Sequence, residues 1–488
     1  MKQTSIANYI LPRTRDILFL LVFAAALAAG WRTLNSDGDL PRHLLMGQVI
    51  VQTHSIPQTE LFSYVYAGRP YVAHEWLADV IYYLSYLALG LKGVVFLTAL
   101  LISFTFFVLY SALSSEHEER LIMLLIVLWG AAITFLHWIA RPHLFTMLYL
   151  AIWLVLTDRL SRGKKLNFWI LPALMLLWGN THGEFIAGFL VLIAYMAGWL
   201  WDFIFDRGQA DKSIIKNLAG TFAVSFVASL INPFDIRTWT TVLSYMGNRQ
   251  LMSTINETKP LNFNDPAYLV VFLMILFSIL VVALKKSKIQ SGHAFLLTGF
   301  TALTLLSGRS VHLYGVVMPF VIYAPFAEII NPLLSKKVTA PIYQIEKQLK
   351  GFVWPVLTIV VSLALLLSGR IGGDYFIDPK LFPVDAVQWL EKNPQSGRMF
   401  NDFKWGGYIV WRLWPGQKDF IDSQSDTTGE ATQLYGTVEN LDPGWQDVLT
   451  RYGVKWILMP IGSPLSNELM KDGWHILYQD QTAVILHQ

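Results

Sequence analysis

Apolar runs long enough to cross a lipid bilayer recur along most of this 488-residue chain. Val94–Leu113 and Phe352–Ser368 are two of them, and their lengths match the roughly 17–25 residues of a membrane-spanning helix. Only 15% of the residues are charged, against about 25% in ordinary soluble domains. The sequence therefore predicts a polytopic α-helical membrane protein and argues against a soluble enzyme, a disordered chain and a nucleic-acid-binding protein.

The apolar runs give a definite set of expected spans. We predict about eleven transmembrane helices, at residues 17–34, 93–113, 121–139, 143–158, 167–181, 185–205, 217–231, 267–284, 294–307, 311–330 and 352–369. The segment Trp76–Leu91 is also apolar, and counting it as a span would reverse the orientation of everything that follows.

Basic residues decide the orientation. With eleven spans and a cytoplasmic N-terminus, the inner segments hold eighteen Lys and Arg residues and the outer segments up to the last span hold ten. Because Lys and Arg near span ends favour the cytoplasmic side, we expect this orientation in the cytoplasmic (inner) membrane. Trp76–Leu91 is then interpreted as a helix at the outer interface, within a long first outer loop.

The sequence changes character after Arg370. Polar turns, short strand-like runs and helix-like segments alternate there, which is typical of a small α/β domain. The expected strands are Arg398–Asn401, Lys418–Asp422, Val454–Met459 and Ala483–Leu486, and the expected helices are Val384–Lys392, Tyr408–Trp414 and Trp445–Tyr452. We predict a transmembrane domain of residues 1–370 and an extracytoplasmic α/β domain of residues 371–488.

The chain contains no cysteine. This excludes thiol nucleophiles, cysteine-based zinc sites, iron–sulfur clusters and disulfide bonds. The formal net charge of +3 predicts no polybasic surface and no nucleic-acid partner.

Polar residues gather at the predicted outer ends of the spans, whereas the inner loops carry mostly Lys and Arg. The outer groups are Asp37-Gly38-Asp39, His74-Glu75-Trp76, Arg141-Pro142-His143, Asn180-Thr181-His182-Gly183-Glu184, Asn232-Pro233-Phe234, and Arg309 with His312. Ionisable groups close to hydrocarbon usually mark function. We therefore predict a cavity that opens outward and is lined by carboxylates, histidines and arginines.

Asp37 and Asp39 directly follow the first predicted span. Two carboxylates at this spacing can share a hard cation such as Mg²⁺ or Mn²⁺, or one can act as a base while the other orients it. Asp39 is also a candidate helix N-cap, because Leu40-Pro41 follow it. No capping role is expected for Asp37, which we predict as the catalytic carboxylate, with Asp39 and Glu75 as further candidates.

Arg141 and Arg309 are expected to contact a phosphate, because guanidinium offers a planar fork of donors. His143 and His312 should lie nearby; His312 follows Arg309 by three residues and therefore shares its helical face. The alternative for each arginine is snorkelling to the lipid headgroups. We predict His74, His182 and Glu184 as further residues of the cavity.

The arrangement resembles the glycosyltransferase C superfamily. The resembling segments are Ser36-Asp37-Gly38-Asp39 with Arg42-His43, the stretch from Ile56-Pro57 to Phe62-Ser63-Tyr64, His74-Glu75-Trp76-Leu77, Arg141-Pro142-His143, and Trp178-Gly179-Asn180-Thr181-His182-Gly183. The resemblance covers roughly residues 1–370, implies an essential acid in the first outer loop, and adds His43 to the expected cavity. It also implies polyprenyl-phosphate-linked sugar donors, many spans and an outer C-terminal domain.

The C-terminal region carries a second, weaker resemblance. Asn401–Tyr408, followed by Asp419–Asp422, is similar to the Trp-Trp-Asp-Tyr-Gly region of oligosaccharyltransferase catalytic subunits, which helps to recognise the acceptor peptide. This chain lacks the paired Trp and the central acid. The alternative interpretation is a helix N-terminus at which Gly406 and Gly407 allow close packing.

The resemblance implies a membrane glycosyltransferase that moves a sugar from a polyprenyl-phosphate donor to an extracytoplasmic acceptor, which is a glycan, a lipid or a protein. A carboxylate base would activate the acceptor and basic residues would neutralise the departing phosphate, in an inverting displacement. Two other classes stay open: a transporter or flippase of a lipid-linked glycan, and a non-enzymatic subunit of glycan assembly. Transporters usually bind substrate near the midplane between repeated halves, and no repeat is evident here.

Overall fold

The computed structural model describes residues 6–205, 210–248, 256–285, 289–332, 336–423 and 429–488. Helices dominate the chain up to residue 367. Their bounds are Ala7–Ile10, Thr14–Ala28, Gly30–Asn35, Asp39–Thr53, Trp76–Leu89, Leu91–Ser114, Arg120–Thr134, His143–Ser161, Ile170–Gly179, Ile186–Phe205, Lys212–Ser229, Ile236–Gly247, Leu269–Leu284, Ser291–Leu306, Val311–Ile330, Lys336–Glu346 and Val353–Leu367.

Each of the predicted spans contains a helix. Six helical segments in the described part of the chain are long and apolar enough to cross a membrane: Leu91–Ser114, Arg120–His137, His143–Ser161, Gly183–Phe205, Pro266–Leu284 and Gly308–Ile330. Four shorter apolar helices accompany them: Trp76–Leu89, Ile170–Gly179, Ser291–Leu306 and Val353–Leu367. The predicted polytopic helical class is confirmed, whereas the count of eleven spans is not.

The segment that was ambiguous in the sequence forms a helix of its own, Trp76–Leu89. It ends at Gly90, whose φ of 61° suits glycine because an L side chain is strained there. The helix packs closely along Asp39–Thr53: a Cβ on Gly47 would lie 2.1 Å from the carbonyl oxygen of Asp79. These two helices belong to the first long loop, residues 36–90, and their position at the membrane interface stays a prediction.

The C-terminal region folds around a four-stranded mixed sheet. Its strands are β1 (Arg398–Asn401), β2 (Val454–Pro460), β3 (His475–Gln479) and β4 (Ala483–His487), in the order β1-β2-β4-β3. β1 and β2 are parallel, and the other two pairs are antiparallel. The surrounding helices are Val384–Lys392, Gly406–Leu413, Glu430–Glu439, Trp445–Arg451 and Pro464–Lys471.

One predicted strand, Lys418–Asp422, is wrong. The backbone of Asp419 instead bonds to the first long loop, accepting from Tyr64 N–H and donating to the carbonyl of Phe62, both at 3.1 Å. These bonds give a single bridge to Ser63 rather than a place in the sheet. The strand that the sequence did not predict, β3, is mostly exposed and so lacks the alternation of buried and exposed residues that marks a half-buried strand.

Gly406 and Gly407 begin a helix that packs tightly against the first long loop. A Cβ on Gly407 would lie 2.5 Å from the carbonyl oxygen of Gly38, and one on Gly38 would lie 1.8 Å from that of Lys404. Both approaches are far closer than an ordinary carbon–oxygen contact. The close-packing interpretation of the glycines is confirmed, and this packing holds the backbone between Asp37 and Asp39 in place.

Candidate active site

Polar residues from distant parts of the chain line one cavity of about 330 Å³. Ten of the eleven predicted site residues line it: Asp39, His43, His74, Glu75, Arg141, His143, His182, Glu184, Arg309 and His312. The eleventh, Asp37, forms an ion pair with Arg141 in the cavity wall. Ser423 of the C-terminal region also lines the cavity, so the cavity lies at the end of the helical bundle that faces this region.

The helix Asp39–Thr53 is capped by Asp37. The Asp37 carboxylate accepts the backbone N–H of Asp39 through Oδ1 at 3.0 Å. Asp39 is the first helical residue, and the helix N-cap position belongs to Gly38. The expectation that Asp39 serves as the cap is therefore wrong, and so is the expectation that Asp37 has no capping role, because the turn at Gly38 places the carboxylate of Asp37 at the N–H of Asp39.

Arg141 lies among three carboxylates. Its Nε is 3.2 Å from Asp37 Oδ2, its Nη1 is 3.0 and 3.1 Å from the two oxygens of Glu257, and its Nη2 pairs with Asp39 Oδ2. Every guanidinium nitrogen thus has an acidic partner. The arrangement follows from the Arg141-Pro142 turn between two helices, which points the arginine toward the first long loop.

The second group of charged residues in the cavity lies around the imidazole of His182. Its Nε2 is 3.3 Å from Glu75 Oε1. Its Nδ1 is 2.9 Å from the hydroxyl of Thr146, which accepts the indole N–H of Trp178. The Thr146 hydroxyl thus connects the indole of Trp178 to the imidazole of His182.

Glu184 joins His182 to the basic pair predicted on one helical face. Its Oε2 lies 2.8 Å from His312 Nε2, and its Oε1 lies 3.6 Å from Arg309 Nε. Arg309 also donates from Nη1 to the Tyr245 hydroxyl at 3.2 Å. The Nη2 group of Arg309 makes no hydrogen bond with the described residues, so it is available to a ligand.

Three histidine rings meet beside this basic pair. The ring centroid of His312 lies 5.2 Å from that of His137 and 5.1 Å from that of His143. His143 Nε2 bonds to the carbonyl of His137 at 2.7 Å, whereas His312 Nδ1 is buried without a hydrogen-bond partner in the described chain. His312 therefore has one ring nitrogen free for further bonding.

Charge and burial shift the pKa values of the carboxylates in opposite directions. Burial raises the pKa of Asp37, although Arg141 opposes this effect. Arg141 lowers the pKa of Glu257 to about 2. Burial acts to raise the pKa of Glu75, but the neighbouring histidines outweigh it and the net shift is downward. Asp37 is thus the carboxylate of this set that most readily takes a proton.

His43 lies in the cavity wall beside a carboxylate that the sequence analysis did not single out. Its Nδ1 is 2.7 Å from Asp79 Oδ1. Burial lowers the pKa of His43, but the charge of Asp79 outweighs burial and raises it overall. The pair couples the two helices of the first long loop, Asp39–Thr53 and Trp76–Leu89.

A buried ionic cluster below the cavity ties the first long loop to the C-terminal region. Arg42 is fully buried, with Nε 2.7 Å from Asp422 and Nη2 3.2 Å from Glu60. Its Nη1 is 3.3 Å from the Tyr71 hydroxyl. We call Arg42, Glu60, Tyr71 and Asp422 the Arg42 clasp. It fixes the helix that begins at Asp39.

Part of the cavity lining is apolar. Ile186, Ala187, Leu190, Leu303, Leu306 and Leu313 form this part. A ligand with a charged group and a hydrocarbon part would find a surface for each.

Sequence reasoning missed His137, Tyr245 and Glu257. His137 ends an apolar run predicted as a span, and an ionisable residue at that depth is itself a signal of function. Glu257 lies in a polar loop, where the sequence does not distinguish an acid with a partner inside the protein from one that faces solvent. Its role depends on Arg141, which is distant in the sequence.

Solved structures of one archaeal enzyme share this fold. The archaeal oligosaccharyltransferase AglB from Archaeoglobus fulgidus, in complex with an inhibitory peptide and a dolichol-phosphate, is 13% identical, with a TM-score of 0.58 over 91% of this chain and 69% of that chain. The same enzyme tethered to an acceptor peptide is 12% identical, with the same TM-score and coverage. ArnT from Cupriavidus metallidurans is 12% identical over 96% of this chain and 97% of that chain, with a TM-score of 0.42.

No protein-family model and no curated protein sequence matches the chain. The chain therefore shares the fold of the archaeal oligosaccharyltransferase AglB. This likeness in fold agrees with the resemblance to the glycosyltransferase C superfamily that the sequence carries.

Proposed function

We propose that this protein transfers a sugar from a polyprenyl-phosphate-linked donor to an acceptor outside the cytoplasm. The observation that carries the proposal is that carboxylates, two arginines and several histidines line the same cavity as a set of apolar side chains. Sugar transfer needs a base for the acceptor and positive charge for the leaving phosphate. Both kinds of group line this cavity.

The donor phosphate is proposed to bind Arg309 and His312. Arg309 keeps its Nη2 group uncommitted, and His312 keeps Nδ1 unbonded within the described chain, so both have capacity for phosphate oxygens. The prenyl chain would then lie along the apolar wall formed by Ile186, Leu190 and Leu313. The dolichol-phosphate bound to AglB, which has this fold, supports the donor class. A direct contact of His143 with the phosphate stays a prediction. We do not propose the predicted contact of Arg141, because its guanidinium nitrogens face three carboxylates of the chain.

In the proposed reaction an acceptor hydroxyl attacks the anomeric carbon of the donor sugar. The bond between that carbon and the phosphate oxygen breaks, and its electron pair leaves with polyprenyl phosphate, whose charge Arg309 stabilises. The acceptor proton passes to a carboxylate, for which we propose Asp37, with Asp39 and Glu75 beside it. Attack opposite the leaving group inverts the anomeric centre.

The acceptor is proposed to enter beside the C-terminal region, where Ser423 reaches the cavity wall. In AglB the acceptor is a peptide that contains an NVT sequon. Here the Gly406–Gly407 segment packs against the first long loop, so this segment offers no support for peptide recognition. A glycan, a lipid and a protein are all retained as acceptor classes.

The proposal is tested with purified protein in sealed vesicles that contain a labelled polyprenyl-phosphate sugar. Release of polyprenyl phosphate together with a labelled acceptor supports a transferase. Movement of the intact donor across the vesicle membrane, without cleavage of the sugar–phosphate bond, would instead identify a transporter or flippase. An Asp37→Asn protein provides the matched control in both measurements.

A further inference from the structure

We infer, resting on the proposed function for the reaction itself, that Arg141 takes the place of a divalent cation among the acidic residues of this site. The chain then holds its carboxylates together with an internal guanidinium. The residues that the sequence analysis considered as ligands of Mg²⁺ or Mn²⁺, Asp37 and Asp39, do not fit such an ion in this arrangement.

The geometry of Arg141 carries this inference. Nε, Nη1 and Nη2 face Asp37, Glu257 and Asp39 respectively, so three acids from two separate segments of the chain meet on one planar group. A hard cation binds carboxylate oxygens at about 2.0–2.6 Å and would have to occupy the space between them. The guanidinium fills that space.

Both carboxylate oxygens of Asp37 have partners in the protein. Its Oδ1 accepts the backbone N–H of Asp39 at 3.0 Å, and its Oδ2 faces Arg141. Glu257 uses both oxygens on Nη1 of the arginine. Asp37 and Glu257 therefore direct carboxylate oxygens at the guanidinium, which occupies the position that a shared cation would need.

The other potential ligands in the cavity do not replace these acids. Glu75 and Glu184 face histidines, and both ring nitrogens of His182 already have partners. Within the six described stretches of the chain, no group of three or more Asp, Glu or His side chains is arranged to hold a metal ion.

Holding the acids with a guanidinium in place of a divalent cation has a chemical consequence. A divalent ion withdraws electron density from its carboxylate ligands and makes them poor bases, whereas guanidinium carries a single delocalised charge. Three acids around one Arg141 remain electron-rich. Because each guanidinium nitrogen of Arg141 faces a carboxylate, we regard it as a positioning residue that keeps Asp37 and Asp39 at the cavity edge. Snorkelling to headgroups leaves these three acidic contacts unexplained.

The first test measures Mn²⁺ binding directly, by electron paramagnetic resonance of the purified full-length protein. Wild type is expected to bind no Mn²⁺ at the site. Arg141→Ala vacates the space between the acids and should create one Mn²⁺ site, which a second change, Asp39→Asn, should remove. Arg237→Ala, which changes an exposed arginine, is the matched control and should create none.

Two results would overturn the inference: stoichiometric Mn²⁺ binding by wild type that Asp39→Asn abolishes, or a folded Arg141→Ala protein that binds no Mn²⁺. If Arg141→Ala does not fold, the wild-type measurement decides alone, and Arg141→Lys serves as the second variant. Lysine keeps the charge but lacks the fork, so it should bind no Mn²⁺ and yet lose activity.

The second test uses sugar transfer. Wild-type turnover should be unchanged by EDTA, whereas Arg141→Ala should lose about 10²-fold because the acids are misplaced, and it should recover in part with added Mn²⁺. Wild-type transfer that EDTA abolishes and Mn²⁺ restores would contradict the inference. Failure of wild type to transfer sugar from any polyprenyl-phosphate donor would count against the proposed function instead, and the Mn²⁺ binding measurement would still decide the role of Arg141.

Discussion

The carboxylate of Asp37 holds the helix that begins at Asp39, because its Oδ1 accepts the backbone N–H of Asp39 at 3.0 Å. Its second oxygen faces Arg141, so one side chain serves both the local backbone and the charged site. An asparagine can keep the first contact, since Asn caps helices as well as Asp, but it carries no negative charge. The two roles can therefore be separated by a single substitution.

Asp37→Asn should lower the turnover of sugar transfer by about 10²–10⁴-fold, the usual cost of losing a general base. Folding should be preserved because the cap is retained. The measurement is transfer from a polyprenyl-phosphate sugar at matched amounts of folded protein. Asp265→Asn is the control, since Asp265 caps an exposed turn through the N–H of Ala267 and should tolerate the change. Near-normal turnover of Asp37→Asn would remove Asp37 from the mechanism.

Arg309→Lys should weaken donor binding while leaving the fold intact. Lysine keeps the positive charge but cannot offer two parallel N–H donors to a phosphate. The measurement is the KM for the donor, together with binding of polyprenyl phosphate alone. Arg237→Lys is the control, because that exposed side chain reaches Gln58 at 3.3 Å outside the cavity. Equal donor binding by wild type and Arg309→Lys would favour snorkelling.

The orientation of the chain is a separate prediction. Because basic residues are concentrated in the predicted inner loops, the C-terminal region should lie outside the cytoplasm. Reporters that are active on only one side of the membrane, fused after Gln488, measure this directly. Activity of the cytoplasmic reporter would show that the orientation is the reverse of the predicted one and that the cavity lies on the cytoplasmic side.

Much of the architecture could be predicted because its signals are local. Apolar runs locate helices, and β1 and Val384–Lys392 begin and end at the predicted residues. The polar groups at span ends were sufficient to predict one shared cavity, since helices that cross a bundle bring their ends to common faces. The close packing of the helix that begins at Gly406 could also be predicted locally, from the adjacent glycines Gly406 and Gly407.

The contacts between distant segments could not be predicted. Nothing in the sequence around Glu257 indicates that it faces Arg141, because ion pairing is decided by tertiary packing. Lys418–Asp422 has the composition of a strand, yet its backbone pairs with the first long loop. The residues of an extended segment do not determine which other segment it pairs with.

The Arg42 clasp should contribute much more stability than a surface ion pair between the same two parts of the chain. Arg42→Ala leaves Asp422 and Glu60 buried without their cation, which typically costs about 3–5 kcal/mol. Arg69→Ala is the control: Arg69 also joins the first long loop to the C-terminal region, through exposed Glu430 at 2.9 Å, and such pairs contribute about 0–1 kcal/mol. Unfolding in detergent measures both. Equal effects would contradict a structural role for the clasp.

The ion pair between Glu257 and Arg141 should make stability depend on acidity in a defined direction. Arg141 lowers the pKa of Glu257 to about 2 in the folded protein, below the value of about 4.3 for an unperturbed Glu. The folded state therefore binds fewer protons than the unfolded state between these values, and the stabilisation is complete above this window and is lost as the pH falls through it.

Glu257→Gln removes this titration, so the difference in melting temperature between wild type and Glu257→Gln should be largest near neutral pH and should shrink as the pH falls from about 5 toward 3. The effect is expected to be modest, because the Glu257 side chain is 38% exposed and solvent screens the pair. Glu430→Gln, at the exposed Arg69 pair, is the control for general acid sensitivity. A difference that is constant across this range, or that grows on acidification, would show that Arg141 does not hold Glu257 in its ionised form.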